Sequence, residues 1–135
     1  MTTDIKQPYV KSETKNGITT VEFFHPQSNS LPSAILQDLA LAITQAGKNT
    51  ECRVIVLRSG GARAFCAGAS FDELAAISSE AEGLRFFSGF ALVINAMRTC
   101  GKFVVARIQG KCVGGGVGLA AAADYSIAVK EADVK

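Results

Sequence analysis

Residues 103–129 read FVVARIQGKCVGGGVGLAAAADYSIAV, and their order decides the fold. Phe103–Ile108 is a short apolar, β-branched run, which predicts a strand. Gly110–Gly118 is a glycine-rich loop, and residues 114–123, GGGVGLAAAA, predict a helix of very small side chains. Ser126–Val129 predicts another strand. Strand, glycine loop, helix and strand in succession form the crossover unit of a parallel sheet.

The same order recurs upstream. Arg53–Arg58 contains VIVL, apolar on both faces, as in a strand covered on both sides. It leads into the loop SGGARAFCAGAS at 59–70 and then a short helical turn, FDELAAI. Ser79 and Glu82 have capping-box spacing and predict a helix over 80–99, with Phe87, Phe90, Ile94 and Met97 as its apolar stripe and Gly101 beyond its end. Residues 33–47 predict a helix with Leu36, Leu39, Ile43 and Ala46 on one face, stopped by Gly47 and Asn49. Before it, residues 9–15 and 18–24 predict two strands around the Asn16-Gly17 turn, followed by a loop over 25–32. Residues 1–8 read as a loose tail and 9–135 as one α/β unit. The last strand reads as buried, and nothing up to Lys135 covers it. The expectation is therefore that 1–135 is the amino-terminal part of a longer polypeptide.

Composition narrows the function. The chain has 135 residues, 48% hydrophobic content and a net charge of +2, which suits one packed domain. Basic residues are dispersed and aromatics few, so a nucleic-acid surface is not expected. The start, MTTDIKQPYVKSETK, lacks the apolar core of a signal peptide, and no apolar run reaches membrane length. Cys52, Cys66, Cys100 and Cys112 form no C-x-x-C pair, and the only histidine, His25, is distant in sequence. No metal site is expected, and the cysteines read as reduced core residues of a cytoplasmic protein.

Two segments carry candidate chemistry, Arg63–Ser70 and Gly110–Gly118. Each follows a predicted strand and enters a helix through glycine. N–H groups at a helix start are unpaired and favour negative charge. Glycine lets a ligand approach the main chain closely. Two such loops would aim two N–H groups at one oxygen, as an enolate requires. By spacing alone, the same glycines read first as serving tight turns and close helix packing. A loose G-x-G-x-x-A at Gly116, Gly118 and Ala121 raises dinucleotide binding, but a five-residue loop separates it from its strand and the 135 residues end too soon for the acid expected about twenty residues on.

RAFCAGAS followed by FDEL at 63–74, ARIQGKCVGGGVGLAAAADYSIA at 106–128 and NGITTVEFFHPQSNSL at 16–31 together resemble the signatures of the crotonase superfamily, the enoyl-CoA hydratase/isomerase family. They occur in the family's order from about residue 9 to the end. The resemblance implies a crotonase-like (ClpP/crotonase) ββα spiral, incomplete in these residues, and an acyl-CoA thioester as ligand. Coenzyme A would enter as part of the substrate, with no separate cofactor. The backbone N–H groups of Ala69 and Gly115 would form the oxyanion hole, and Ala67, Gly68, Ser70, Gly114 and Gly118 would line the substrate. Arg63 would either approach the CoA phosphates or be a solvated surface residue. The resemblance further implies fatty-acid metabolism and a homotrimer, or a hexamer of trimers, for the full-length protein.

Two positions depart from the family pattern. Ser70 stands where the first signature usually has Asp, and a hydroxyl there can still cap the following turn. Asp72 and Glu73 read as first-turn acids of that helix. Gly118 stands where hydratases commonly carry a glutamate, and the second family glutamate would fall just past Lys135. The GGGVGL variant resembles bacterial methylglutaconyl-CoA hydratase-like members. Hydration of a 2-enoyl-CoA is therefore expected, with isomerisation by a single downstream carboxylate as an alternative. The isolated 135 residues are expected to be inactive. Phe86, Phe87 and Phe90 read either as core or as limits on the acyl pocket.

Overall fold

The computed structural model describes residues 6–135. Residues 6–8 of the predicted tail are exposed and lie outside any strand, and 1–5 fall outside the described residues. Asn16 and Gly17 both take positive φ, 53° and 83°. That two-residue turn joins β1 (Tyr9–Lys15) to β2 (Ile18–Phe24) as an antiparallel hairpin, with Lys15 opposite Ile18. From β2 onward every neighbour is parallel. β3 (Val54–Ser59), β5 (Phe103–Ile108) and β7 (Tyr125–Ala128) follow in turn, giving the order β1-β2-β3-β5-β7. A second, two-stranded sheet pairs β4 (Ala64–Cys66) with β6 (Lys111–Cys112).

The helices complete each turn of the chain. α1 (Ser33–Lys48) links β2 to β3, α2 (Phe71–Ala76) and α3 (Glu80–Thr99) link β4 to β5, and α4 (Gly115–Ala122) links β6 to β7. Each circuit adds one strand to the large sheet and one to the small one. The third circuit has begun as well, since Val134 bridges to Cys112 beside β6. This is the expected α/β spiral, and β4 and β6 are the strands hidden inside what read as glycine loops.

The core lies between the large sheet and α1 and α3. Val21, Phe23, Ile55, Leu57, Val104 and Ala106 are fully buried on one sheet face. They meet Leu36, Leu39, Ile43 and Ala46, the predicted stripe of α1. Three readings need correction. The stripe of α3 is rotated by one residue, because Phe86, Gly89, Val93, Ala96 and Met97 are buried while Phe87 is 74% exposed. The reason is Gly89, where a Cβ would stand 2.6 Å from Leu36 Cδ1. The closest helix contact thus runs through a residue that carries no hydrophobic signal.

Gly47 does not stop α1 but continues it, since a Cβ there would come within 2.4 Å of the Cys100 carbonyl oxygen. The sheet is also covered on one face only. In β3, Ile55 and Leu57 are buried while Val54 and Val56 are half-buried, and every residue of β7 is exposed. β7 is the edge of the large sheet, tied to α4 by Ser126 Oγ donating to Ala120 O at 2.6 Å.

No described helix is long and apolar enough to cross a membrane, and no cluster among the described residues has the ligands for a metal ion. All four cysteines are free; Cys52, Cys66 and Cys112 are buried and Cys100 is partly so. Burial pushes the Cys66 thiol up to about 12, so it is held protonated as an inert core group.

Candidate functional site

The two candidate segments are adjacent in space because β4 and β6 pair with Cys66 opposite Cys112. Beyond the pair, Val113 N–H donates to the Cys66 carbonyl at 3.0 Å. Gly68, at φ +94°, then packs on the second segment. A Cβ at Gly68 would stand 3.6 Å from Val113 O, 3.8 Å from Gly115 N and 3.9 Å from Gly114 Cα. Gly116 lies closer still, with its Cβ position 2.6 Å from Cys66 O. Side chains at these positions would push the two loops apart. Gly114, at φ 57° and ψ −129°, takes a backbone conformation open to glycine, and α4 starts directly after it.

Ala69 and Gly115 therefore flank one contact between two loops. Both are half-buried. Neither N–H donates to an acceptor among the described residues. The next N–H groups of α4 are partly spent, Gly116 to Val113 O and Val117 to Gly114 O, both at 3.0 Å. Ala67 N–H donates to Asn29 O at 3.2 Å, and Gly68 O accepts from Leu31 N–H at 2.8 Å.

Asn29 anchors the first loop, a role that sequence reading did not single out. It is 3% exposed and sits at φ 56°. Its Nδ2 donates to Gly60 O at 2.9 Å and Ala64 O at 2.8 Å, and its Oδ1 accepts from His25 N–H at 2.7 Å. Gln109 reaches the same loop from the end of β5, with Nε2 2.9 Å from Ser59 Oγ. In the sequence Asn29 stands in the polar loop HPQSNSL at 25–31, where asparagine suits a turn and tolerates positive φ, but nothing there names the carbonyls it holds.

Ser70 caps α2 as expected, accepting from Glu73 N–H at 3.2 Å. The two acids reach beyond their own helix. Glu73 Oε2 accepts from Ser33 N–H at 2.7 Å, capping α1 where Pro32 offers no side-chain cap. Asp72 accepts from Gln27 Nε2 at 3.0 Å. At the start of α3, Ser79 accepts from Glu82 N–H, but the Glu82 carboxylate turns to Ser78 N–H, so the predicted box closes one residue early.

On the far side of α4, α3 presses close. The Phe90 ring atoms Cε1, Cε2 and Cζ lie 2.7 Å from the Cβ position of Gly115, and Ile94 Cδ1 lies 3.4 Å from that of Gly118. Gly118 is half-buried against an aliphatic side chain, with no acid in that position. Arg63 is exposed at the head of β4, beside a hollow of about 230 Å³ that runs along Phe24–Asn29 and Gly60–Ala64. His25, which lines that hollow, has its pKa lowered by burial, with Asp72 opposing the shift. The G-x-G-x-x-A run does not turn from strand to helix, because β6 intervenes between Ile108 and Gly115.

Comparison with known proteins agrees in sequence and in fold. The family model described as enoyl-CoA hydratase/isomerase matches residues 13–135. Among curated relatives, the chain is 37% identical over 117 residues to a (7aS)-7a-methyl-1,5-dioxo-2,3,5,6,7,7a-hexahydro-1H-indene-carboxyl-CoA hydrolase of Rhodococcus jostii, covering 87% of this chain and 45% of that protein. It is 35% identical over 104 residues to human mitochondrial methylglutaconyl-CoA hydratase, covering 77% and 30%. An enoyl-CoA hydratase structure from Mycobacterium smegmatis superposes with a TM-score of 0.85 at 28% identity, over 93% of this chain and 49% of that one. The chain spans about half the length of the solved structures it matches. With signatures, spiral topology and family match in register, the chain belongs to the enoyl-CoA hydratase/isomerase family, the crotonase superfamily, and represents its amino-terminal part.

Proposed function

We propose that this chain supplies the oxyanion hole of an acyl-CoA enzyme, with the N–H groups of Ala69 and Gly115 as its two donors. The observation that supports the reading is the contact of Gly68 with Gly114 and Gly115, beside which the N–H groups of Ala69 and Gly115 have no acceptor among the described residues. The thioester carbonyl oxygen would sit between them, with Ala67, Gly68, Ser70, Gly114 and Gly118 around the substrate. Donors fixed by the fold need no reorganisation as charge develops, and each is worth about 3–4 kcal/mol in the transition state.

In hydration, water gives up a proton to a base as its oxygen bonds to C3 of a 2-enoyl-CoA, and the double-bond electrons move toward the thioester oxygen. The resulting enolate is held by the two N–H groups until C2 takes a proton. Isomerisation of a 3-enoyl-CoA instead removes a proton from C2, giving a dienolate with its charge on the same oxygen, and returns a proton at C4. Either route needs a proton-transfer group, and Gly118 cannot be one. A carboxylate from polypeptide beyond residue 135 is the proposed source. Hydration is the first reading; full-length protein is assayed with a short 2-enoyl-CoA and a 3-enoyl-CoA. Turnover of the first alone supports it, and turnover of the second alone replaces it with isomerisation.

A second reading rests on the Rhodococcus relative, whose name is that of a hydrolase. Hydrolysis of an oxo-substituted acyl-CoA also develops charge on a carbonyl oxygen, so the same hole would serve. Release of an acid from a cyclic oxo-acyl-CoA, with no turnover of enoyl-CoAs, would select this reading. The proposal extends to a cytoplasmic protein that assembles as a trimer or a hexamer of trimers, which sedimentation of the full-length protein checks.

A further inference from the structure

α2 begins just after Ala69 and Ser70, and it is held without packing. None of its six residues is buried, and Phe71 and Leu74 are 77% and 41% exposed. Polar ties fix its direction instead. Glu73 N–H donates to Ser70 Oγ, and Asp72 accepts from Gln27 on the exposed surface. Glu73 Oε2 accepts from Ser33 N–H at 2.7 Å, and this pair is partly shielded from water. The Ser33 anchor is firm, because it is 2% exposed and opens α1, whose stripe lies in the core.

The peptide that joins Gly68 to Ala69 lies between two ties. Its carbonyl, Gly68 O, accepts from Leu31 N–H at 2.8 Å. The peptide is trans and planar, so its N–H, that of Ala69, points the opposite way. One bond at the oxygen leaves the plane free to swing, and Gly68, at φ +94°, has no side chain to resist. The remaining restraint has to come through Ser70 and α2. Leu31, Pro32 and Ser33 supply both halves of the clamp. Leu31 N–H holds the carbonyl, Pro32 has no N–H, and Ser33 N–H holds Glu73.

We propose that Glu73 is a positioning residue, which aims the Ala69 N–H by tying α2 to the start of α1. The inference rests on the oxyanion-hole reading. Glu73 acts through residues 69–73 and not by touching substrate. Aim matters because a donor lowers the barrier only when it already points to where charge develops. A swing of α2 would turn the Ala69 N–H aside and leave the rest of the site open to a CoA ester. Loss of the tie therefore costs polarisation of the thioester carbonyl rather than affinity.

The test uses full-length protein and 4-dimethylaminocinnamoyl-CoA, whose absorbance moves to longer wavelength when its thioester carbonyl is polarised. That shift reports the hole whichever reaction follows. The unmodified protein should bind the probe with a red shift. Glu73→Ala should bind it within about threefold of the parent affinity but lose more than half of the shift. Glu73→Gln should keep the shift, because its amide oxygen still accepts from Ser33 N–H. Ser33→Pro removes the donor instead of the acceptor, and proline is tolerated at the first position of a helix. Ser33 Oγ bonds to nothing among the described residues, so no other tie is lost with it. Ser33→Pro should reproduce the Glu73→Ala spectrum, and it reports even where Glu73→Ala melts early. A shift close to the parent's in both Glu73→Ala and Ser33→Pro, whatever their melting temperatures, overturns the inference while leaving the oxyanion hole standing. A loss in Glu73→Gln as large as in Glu73→Ala overturns it too. An unmodified protein that binds the probe with no red shift, or not at all, overturns the oxyanion-hole reading, and this inference with it.

Discussion

The two loops that meet at Gly68 and Gly114 are held by opposite means. The first, residues 59–70, is tied by side chains. Asn29 and Gln109 hold its carbonyls from neighbouring elements, and Ser70 caps the helix that ends it. The second, residues 110–118, is tied by lack of side chains. Gly110 has its Cβ position 1.9 Å from Arg63 O, and Gly116 lies against Cys66, so the backbone itself is the contact surface. A loop held by directional bonds tolerates small errors in volume but not loss of a partner. A loop held by close backbone approach tolerates no added atom. Substitutions should separate the two kinds.

Gly116→Ala should have the largest effect. Its methyl would stand 2.6 Å from Cys66 O and 2.8 Å from Cys66 Cβ, and neither can rotate away. A loss of more than about 3 kcal/mol in denaturant unfolding is expected, together with loss of CoA-ester binding. A variant as stable as its parent would show that the loops can part freely, and the contrast would collapse.

Asn29→Ala should come second, at about 2 kcal/mol. It strands the buried Gly60 carbonyl, but Ala64 O keeps Gln109 Nε2 at 3.2 Å and Ser59 Oγ at 3.3 Å. Limited proteolysis should then cut within 60–64 before the second loop is attacked. Cleavage at 110–114 first would reverse the assignment of which loop depends on side chains.

A third variant, outside both loops, sharpens the comparison as a reference for side-chain bonding. Glu22 is buried on the face of the sheet away from the helices, with Tyr9, Lys11 and Arg58 around its carboxylate. Burial alone would raise its pKa, but hydrogen bonds from Tyr9, Arg58 and Lys11 together outweigh it and leave the pKa below 4.5. A depressed carboxylate stabilises the fold fully above its unfolded pKa, and that stability is lost as pH falls through the folded value. The parent should therefore lose stability below pH 4.5 more steeply than Glu22→Gln. Parallel pH profiles of the two proteins would remove Glu22 as the cause.

Ser70→Ala should have the smallest effect, about 1 kcal/mol, because it removes a single cap. Ser70→Asp should restore it, since a carboxylate at the same helix start also accepts from the Glu73 N–H. Equal loss in both would mean that Ser70 matters through its packing, at 5% exposure, rather than through its cap.

Much of the architecture was legible because it is local. The Asn16-Gly17 turn, the stripe of α1, the caps at Ser70 and Ser79 and the strand at Phe103 each depend on neighbours in sequence. The departures share one cause. The α3 stripe moved to Phe86, Gly89 and Val93, and Gly47 stayed helical, because close approach by Leu36 and Cys100 is a contact between distant residues. β4 and β6 are three and two residues long, and such strands exist by virtue of each other. Of the candidate site, the glycines and Ser70 were readable as motif positions. The anchoring by Asn29 and the approach of Phe90 were not, since each depends on which elements pack together.

The sequence alone determined the alternation of strands and helices, the two glycine-bearing loops and the family to which they point. It did so because turns, caps and periodicity are properties of short segments. The tertiary structure alone decided that Gly68 faces Gly114 and Gly115, that Glu73 caps α1 rather than only its own helix, and that Phe90 rather than Phe87 stands at Gly115. These are contacts across 20 to 50 residues of chain, set when α3 packs between α1 and α4 and when β4 pairs with β6. No property of the separate segments contains them.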